Sequence, residues 1–188
     1  EEFLNRSEES TKEMCLEIGK ALHNDAGIEG FTLNAFSGNT LVSMYAKCGA
    51  IVEASDAFSS LLERDAVSWN VMLSAFIDHG EGEKALKLYR QARQDGIIPD
   101  QCMFICAIQA CCVLCDMENM LVLEREVALE IGQALHADAR NRSFSEDVFL
   151  NTTLCSMYGK CGAICRAEHA INGLHHRDTV AWNALLSA

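Results

Sequence analysis

The chain has 188 residues, of which 49% are hydrophobic and 22% are charged, and this balance disfavours disordered and coiled-coil chains. A single proline and 12 glycines disfavour a turn-rich β-sandwich and favour long helices joined by short turns. The 15 Lys and Arg residues against 27 Asp and Glu give a net charge of -12. Proteins that bind nucleic-acid phosphates typically carry a positive charge on the binding surface, so this negative net charge is the opposite of what such binding favours.

Nothing in the sequence predicts a targeting or membrane-spanning segment. Residues 1–14 lack the basic and then apolar pattern of a signal or transit peptide, and the chain begins without Met, as an internal fragment would. The longest nearly apolar run, residues 102–115, is shorter than the ~20 residues that a membrane span requires. The 10 cysteines lack the spacing of a disulfide framework, which indicates reduced core thiols inside a cell or organelle.

Three blocks of sequence recur at one fixed offset of 113 residues. Residues 44–51 (MYAKCGAI) return at 157–164 as MYGKCGAI, and residues 17–23 (EIGKALH) return at 130–136 as EIGQALH. The pattern R-D-x-V-x-W-N at 64–70 returns at 177–183. A shared register across three separate blocks indicates a repeat architecture, with several unlike repeats inside each period.

Helical spacing of apolar residues defines the individual repeats. It runs through 67–78 and again through 83–95, on either side of Gly80 and Gly82, and Gly96 followed by Pro99 predicts the end of the second helix. Residues 66–100 are therefore predicted to form an αα-hairpin. Such hairpins cannot bury their apolar faces alone, so we expect an all-α fold, a right-handed α-solenoid of stacked helix-turn-helix repeats whose first helices line the concave face.

These residues resemble the pentatricopeptide repeat proteins, specifically the plant-type class that alternates standard, long and short repeats. The most specific parts are N-T-L-V-S-M-Y-A-K-C-G at 39–49 and V-S-W-N-V-M-L-S-A at 67–75. In the family's terms, the predicted units are 1–34 (second helix region of a truncated long repeat), 35–65 (short), 66–100 (standard), 101–147 (long), 148–178 (short) and 179–188 (first helix of a truncated standard repeat). The long repeat departs from the family by about 11 extra residues near 118–130, close to three helical turns.

The resemblance implies a modular reader of single-stranded RNA, in which one repeat addresses one base through two or three side chains. A polar residue in the first turn of each first helix and another that closes the repeat are expected to lie together and to bond the base edge. These readout residues are Asn39, Asp65, Asn70, Asp100, Thr152, Asp178 and Asn183. Residues three positions before the first reader are expected to pack on base faces, and they are Phe36, Val67, Phe149 and Val180.

An amide offers a donor and an acceptor, which suits pyrimidine edges, whereas a hydroxyl beside a carboxylate suits the NH groups of guanine. By resemblance, the array is expected to read uracil, uracil, an unassigned base, guanine and a pyrimidine, in 5′ to 3′ order. The long repeat has Ile105 at the readout position, and its base is therefore left open. The competing interpretation of Asn39, Asn70 and Asn183 is capping of helix N-termini.

No enzyme signature is present, and neither a cofactor nor a small-molecule substrate is expected. His79-Gly80-Glu81 with 112–115 resembles a zinc deaminase motif, but Cys111 occupies the position of the required proline. Metal binding by the cysteines of 102–115 is disfavoured, because helical spacing cannot point them all one way. G-x-S-x-G and P-loop motifs do not occur.

The sequence therefore predicts RNA binding without catalysis. The resemblance alone implies a role in organellar RNA processing, such as C-to-U editing in a mitochondrion or chloroplast, with editing-factor proteins as further partners. The alternative is a protein-binding α-solenoid that accepts a basic peptide or helix, which the negative charge favours. A third possibility is a divergent array that keeps its fold without a ligand.

Overall fold

The computed structural model describes residues 2–28, 34–116, 122–142, 144 and 147–172. Every regular element within these ranges is an α-helix. By contacts between Cα atoms, the chain divides into two compact units, residues 1–79 and 80–188. The helices are α1 (Glu2–Ile28), α2 (Ala35–Lys47), α3 (Ile51–Ser59) and α4 (Ala66–Asp78) in the first unit, and α5 (Gly82–Gln94), α6 (Gln101–Cys115), α7 (Val122–Asn141), α8 (Val148–Lys160) and α9 (Ile164–Asn172) in the second.

Four helices begin with the same device, an Asn or Asp N-cap whose side chain accepts a hydrogen bond from the backbone N–H three residues later. The donor–acceptor distances lie between 2.7 and 2.9 Å. Each cap satisfies a backbone donor that the first helical turn leaves unpaired, and so fixes where the helix starts. The capping residues are Asn34 for α2, Asp65 for α4, Asp100 for α6 and Asp147 for α8.

Helix α2 ends in a Schellman motif. Gly49 has a φ of 81°, its N–H bonds to the carbonyl of Ala46, and the N–H of Ala50 bonds to the carbonyl of Tyr45. Helix α8 ends in the same way one sequence period later, at Gly162 with a φ of 78°. Only glycine adopts this backbone conformation without strain, which explains why K-C-G marks both helix ends.

Each unit is held by packing between consecutive helices and between helices two apart in the chain. In the first unit α2 contacts α1, α3 and α4, and in the second unit α6 contacts α5, α7 and α8. The first core centres on Trp69, whose ring meets Phe58 edge-on at a centroid distance of 5.1 Å. The second centres on Phe104, which is fully buried. These hairpins and stacked first helices confirm the predicted all-α repeat fold.

The two copies of the sequence period form the same contacts. The Tyr45 hydroxyl lies 2.7 Å from His23 Nδ1 in the first unit, and the Tyr158 hydroxyl lies 2.9 Å from His136 Nδ1 in the second. Helix α1 therefore packs on α2 as α7 packs on α8. The long repeat contains the 20-residue helix α7, which is longer than the 13-residue α5 and the 9-residue α3 and α9.

None of the described helices combines the length and the apolar character that crossing a bilayer requires.

Candidate functional site

The predicted polar readers lie in the second turn of their helices, not the first. Asn39, Asn70 and Thr152 are the fifth residues of α2, α4 and α8, and each is half-buried. The capping interpretation is wrong for Asn39 and Asn70, because Asn34 and Asp65 hold those N-cap positions. Their side chains are therefore not used to start a helix. Asp178, Asn183 and Val180 lie outside the described residues.

Asn39 and Asp65, which were predicted to act as a pair, are brought together in the first unit. Asn39 donates a side-chain hydrogen bond to the Asp65 carboxylate, although 26 residues separate them in sequence. Asp65 also accepts from the backbone N–H of Ser68 at 2.8 Å and from its hydroxyl at 2.9 Å. These donors lower the pKa of Asp65, the Ser68 N–H most strongly, and partial burial opposes them. The carboxylate is thus held ionised as an acceptor beside the amide.

The oxygen of the Asn39 amide is the second notable feature of this pair. Asn39 Oδ1 is buried and accepts no hydrogen bond from any described residue. A buried acceptor without a donor costs about 1–3 kcal/mol, so such atoms are uncommon in native proteins. Because the oxygen has no contact with solvent, a donor on a ligand reaches it only if the Asn39 side chain turns outward.

Apolar side chains stand exposed one residue after the start of three first helices. Phe36 on α2 is 85% exposed, Val67 on α4 is 57% exposed and Phe149 on α8 is 71% exposed. In the first unit, Phe36 and Val67 belong to helices that pack against each other. Exposing a large apolar side chain at the same helical position each time is typical of a binding face and not of a core.

Thr152 lies on α8, and its hydroxyl proton already forms a hydrogen bond within the helix. Thr152 Oγ1 donates to the carbonyl of Phe149 at 3.0 Å, so its remaining capacity is to accept. The neighbouring Thr153 donates to the same carbonyl at 2.7 Å. Asn70 lies in the first unit and Asp100 in the second, where Asp100 Oδ1 accepts from the N–H of Met103 at 2.8 Å.

The last residue of the long repeat has a different side-chain partner from Asp65. This residue, Asp147, accepts from the backbone N–H of Leu150 through Oδ1 and from Gln101 Nε2 through Oδ2, at 2.7 Å each. Ile105 occupies the readout position and offers no hydrogen bond. Gln101 was not among the predicted site residues, and the only pattern that marks it is a polar residue directly after the Asp that precedes the helix.

Among the described side chains, no group of three or more His, Cys, Asp or Glu residues is arranged to hold a metal ion. Burial raises the pKa of the Cys111 thiol to about 12 and that of Cys112 to about 11. These two residues therefore remain neutral thiols near pH 7. His79 of the deaminase-like motif caps the end of α4.

Comparison with known proteins decides the family. A model of the PPR repeat family matches residues 64–113, and a second model, of the PPR repeat, matches residues 39–65. The chain belongs to the pentatricopeptide repeat family. A chloroplastic pentatricopeptide repeat-containing protein of Arabidopsis thaliana is 35% identical over 92% of this chain, which spans 30% of that relative. A second Arabidopsis family member is 32% identical over 92% of this chain, which spans 22% of it.

A third Arabidopsis relative is named as a mitochondrial pentatricopeptide repeat-containing protein. It is 28% identical over 92% of this chain, which spans 16% of that protein. The chain thus spans less than a third of the length of each of these three curated relatives.

Proposed function

We propose that this chain binds single-stranded RNA with one base per repeat, as a member of the plant-type class with standard, long and short repeats. The observation that carries the proposal is the Asn39–Asp65 pair, in which an ionised carboxylate and an amide meet from separate helices. Its donors and acceptors match the edge of a nucleic-acid base.

The oxygen acceptors of this pair favour a base with N–H donors. Uracil presents one ring N–H between two carbonyl oxygens, and that N–H suits Asn39 Oδ1 or the Asp65 carboxylate. The Asn39 N–H group can in turn donate to a uracil carbonyl. This chemistry supports uracil at the 35–65 repeat. At the 66–100 repeat, uracil is proposed from the residue types alone, Asn70 and Asp100.

Exposed side chains supply the affinity that edge contacts alone lack. Stacking of a base on an aromatic side chain is worth about 1–3 kcal/mol and tolerates any base. Phe36 and Phe149 offer such faces, and Val67 offers a smaller apolar contact. This contribution needs no positive charge, so the net charge of -12 weakens RNA attraction without preventing it.

Guanine is the base proposed for the 148–178 repeat, where Thr152 is paired by resemblance with Asp178. Because the Thr152 hydroxyl already donates to the Phe149 carbonyl, it can only accept from a ligand. Guanine alone places both a ring N–H and an amino group on its Watson–Crick edge, so it suits an accepting hydroxyl and a carboxylate. Asn183 is proposed to read a pyrimidine in the following repeat.

The long repeat is proposed to contribute no base preference. The two carboxylate oxygens of Asp147 already accept hydrogen bonds, one from Gln101 and one from the Leu150 N–H. Ile105 has no side-chain donor or acceptor for a base. The expected site is therefore U-U-N-G-pyrimidine, read 5′ to 3′ along the repeats.

A single substitution on α8 tests base reading directly. In Thr152→Asn, the amide restores a donor as well as an acceptor, so preference at the fourth base should move from guanine toward a pyrimidine. The readout is selection from a randomised single-stranded RNA pool, and the preference should change several-fold at that base alone. Thr153→Asn is the matched control, because it makes the same change one residue away, off the readout position, and should leave the profile unchanged. Equal profiles for Thr152→Asn and the parent chain would show that Thr152 reads no base.

The biological role we propose is positioning of a transcript for organellar RNA processing, such as C-to-U editing, with no chemistry by this chain. Relatives named chloroplastic and mitochondrial support an organellar location. Editing-factor proteins are the further partners that this role implies.

The second candidate function is recognition of a basic peptide or helix. The chain has 27 acidic and 15 basic residues. This negative charge favours the second candidate, because a positively charged partner would gain long-range attraction. Binding to a peptide pool that outcompetes RNA would support this candidate over the first.

A further inference from the structure

Two cysteines from neighbouring repeats meet inside the second unit. Cys115 is the last residue of α6, and Cys161 is the residue that caps the end of α8. Their Sγ atoms lie 2.7 Å apart, and one thiol donates to the other. Both are nearly inaccessible, with exposed fractions of 5% and 9%. A disulfide bond is about 2.05 Å long, so the two sulfurs need to close by only about 0.6 Å to form one.

An ion pair holds the same two helix ends together. Lys160, which precedes Cys161, pairs with Asp116, which follows Cys115. The two contacts are adjacent in sequence on both helices, so the ends of α6 and α8 are aligned at two successive positions. The reduced thiols are thereby kept facing each other. The fold has therefore already met most of the loop-closure entropy cost of bringing two distant cysteines together.

Further sulfur atoms lie near the pair. Cys161 Sγ lies 3.9 Å from the Met157 sulfur, and Cys111 and Cys112 lie close enough on α6 to affect its titration. Two thiols that face each other at this distance can be oxidised to a disulfide with little movement of either helix.

We propose that Cys115 and Cys161 form a reversible disulfide that fastens the first helix of the long repeat to the first helix of the next repeat. The oxidant is a small-molecule disulfide such as oxidised glutathione. One cysteine thiolate attacks it, forms a mixed disulfide and releases one glutathione thiolate. The second cysteine thiolate then attacks the mixed disulfide and releases the other. The chain loses two electrons and two protons, and one oxidised glutathione becomes two reduced glutathiones.

Burial controls how fast this reaction runs. Burial raises the pKa of the Cys161 thiol well above its usual range, and the bond with Cys115 raises it further. Attack needs a thiolate, so the folded chain oxidises slowly at neutral pH and faster as the pH rises. We expect the oxidant to reach the thiols through local opening of the end of α8, beside the exposed Gly162.

The experiment uses the whole 188-residue chain in glutathione buffers of increasing oxidised-to-reduced ratio at pH 8. Acid quenching and alkylation trap the products, and fragment-ion sequencing assigns the linked cysteines. The expected main product joins Cys115 to Cys161 and raises the thermal midpoint by roughly 5–10 °C, because closing a loop of this size restricts the unfolded chain. Excess dithiothreitol should reverse both changes.

Variants separate the pair from the other cysteines. Cys161→Ala should abolish the stabilisation by oxidised glutathione. Cys48→Ala is the matched control, because Cys48 caps α2 as Cys161 caps α8, and the linkage should still form. The native chain itself is the second measurement, so the result does not depend on the variants folding.

Two outcomes would overturn the proposal. One is the absence of a Cys115–Cys161 linkage at the most oxidising ratio. The other is a set of linkages in the folded chain that matches the mixture formed in concentrated urea, which would show that the fold does not select this pair. Neither outcome bears on base reading, because the thiol assay contains no RNA.

Discussion

Asp65, the residue that closes the 35–65 repeat, forms two kinds of contact. Asp65 accepts from the Ser68 N–H as the N-cap of α4, and the same carboxylate accepts from Asn39 on α2. The residue that ends one repeat is therefore the residue that starts the first helix of the next. Any substitution at this position changes both helix stability and the proposed base contact, and the two effects need separating.

Two substitutions of Asp65 make that separation. Asp65→Asn keeps a capping oxygen, and Asn caps helices about as well as Asp, so the free energy of unfolding should change by only a few tenths of a kcal/mol. Asp65→Ala removes the cap and should cost about 0.5–2 kcal/mol in urea unfolding. On RNA, Asp65→Asn should shift the first base from uracil toward cytosine, because an amide can donate to the cytosine ring nitrogen.

The pH dependence provides an internal check on Asp65. Its pKa is lowered by folding, so its stabilising effect is present above the unfolded pKa and is lost as the pH falls through the folded value. Asp65→Asn should remove that part of the acid sensitivity. Equal stability of the Ala and Asn variants would contradict the capping role.

The sequence was sufficient to pick out Asn39 and Asp65 as a pair, but not to place them. The 113-residue offset marked the repeating positions, whereas the expected place of Asn39 and Asn70 in the first helical turn was wrong, and so was the competing interpretation that they cap the helices. Pattern alone does not distinguish the capping residue from one five positions later, because both are short and polar. Which of the two residues is the N-cap depends on whether its side chain faces an unpaired backbone N–H. Only the folded helix fixes that geometry.

At the element scale, the approach of α5 to α6 depends on one glycine. A Cβ atom built on Gly82 would lie 2.7 Å from the backbone oxygen of Ala110 and 3.1 Å from Leu114 Cγ. A backbone atom cannot rotate away as a side chain can, so the two helices would have to separate.

Gly82→Ala should therefore destabilise the chain by about 1–3 kcal/mol in urea unfolding. Gly27→Ala is the matched control, because Gly27 lies in α1 with no atom within 4 Å of a built Cβ. Alanine is the better helix former, so that variant should be neutral or more stable by up to about 1 kcal/mol. A Gly82→Ala chain as stable as the parent would contradict the close packing of α5 on α6.

The order and type of the elements were predictable from sequence, but their contacts between repeats were not. Glycine after K-C marked the ends of α2 and α8, and both glycines have the positive φ that a helix end requires. The bond from Gln101 to Asp147 and the meeting of Cys115 with Cys161 each join residues 46 positions apart. Such contacts depend on how helices stack, and no short-range pattern specifies that.

At the scale of the whole molecule, charge and chemistry favour different ligands. A net charge of -12 predicts weak attraction to phosphates and a shallow dependence of RNA affinity on salt. The exposed Phe36 and Phe149 and the Asn39–Asp65 pair favour base contacts, which salt screens little. A chain that binds through bases should therefore show selectivity even where its affinity is modest.

The most direct test is selection of a randomised single-stranded RNA pool by this chain at moderate salt, with sequencing of the bound RNA and a matched DNA pool as control. We expect enrichment of U-U-N-G-pyrimidine in RNA over DNA, with no preference at the third base. An absence of enrichment at every salt concentration tested would contradict base reading and would favour a protein ligand.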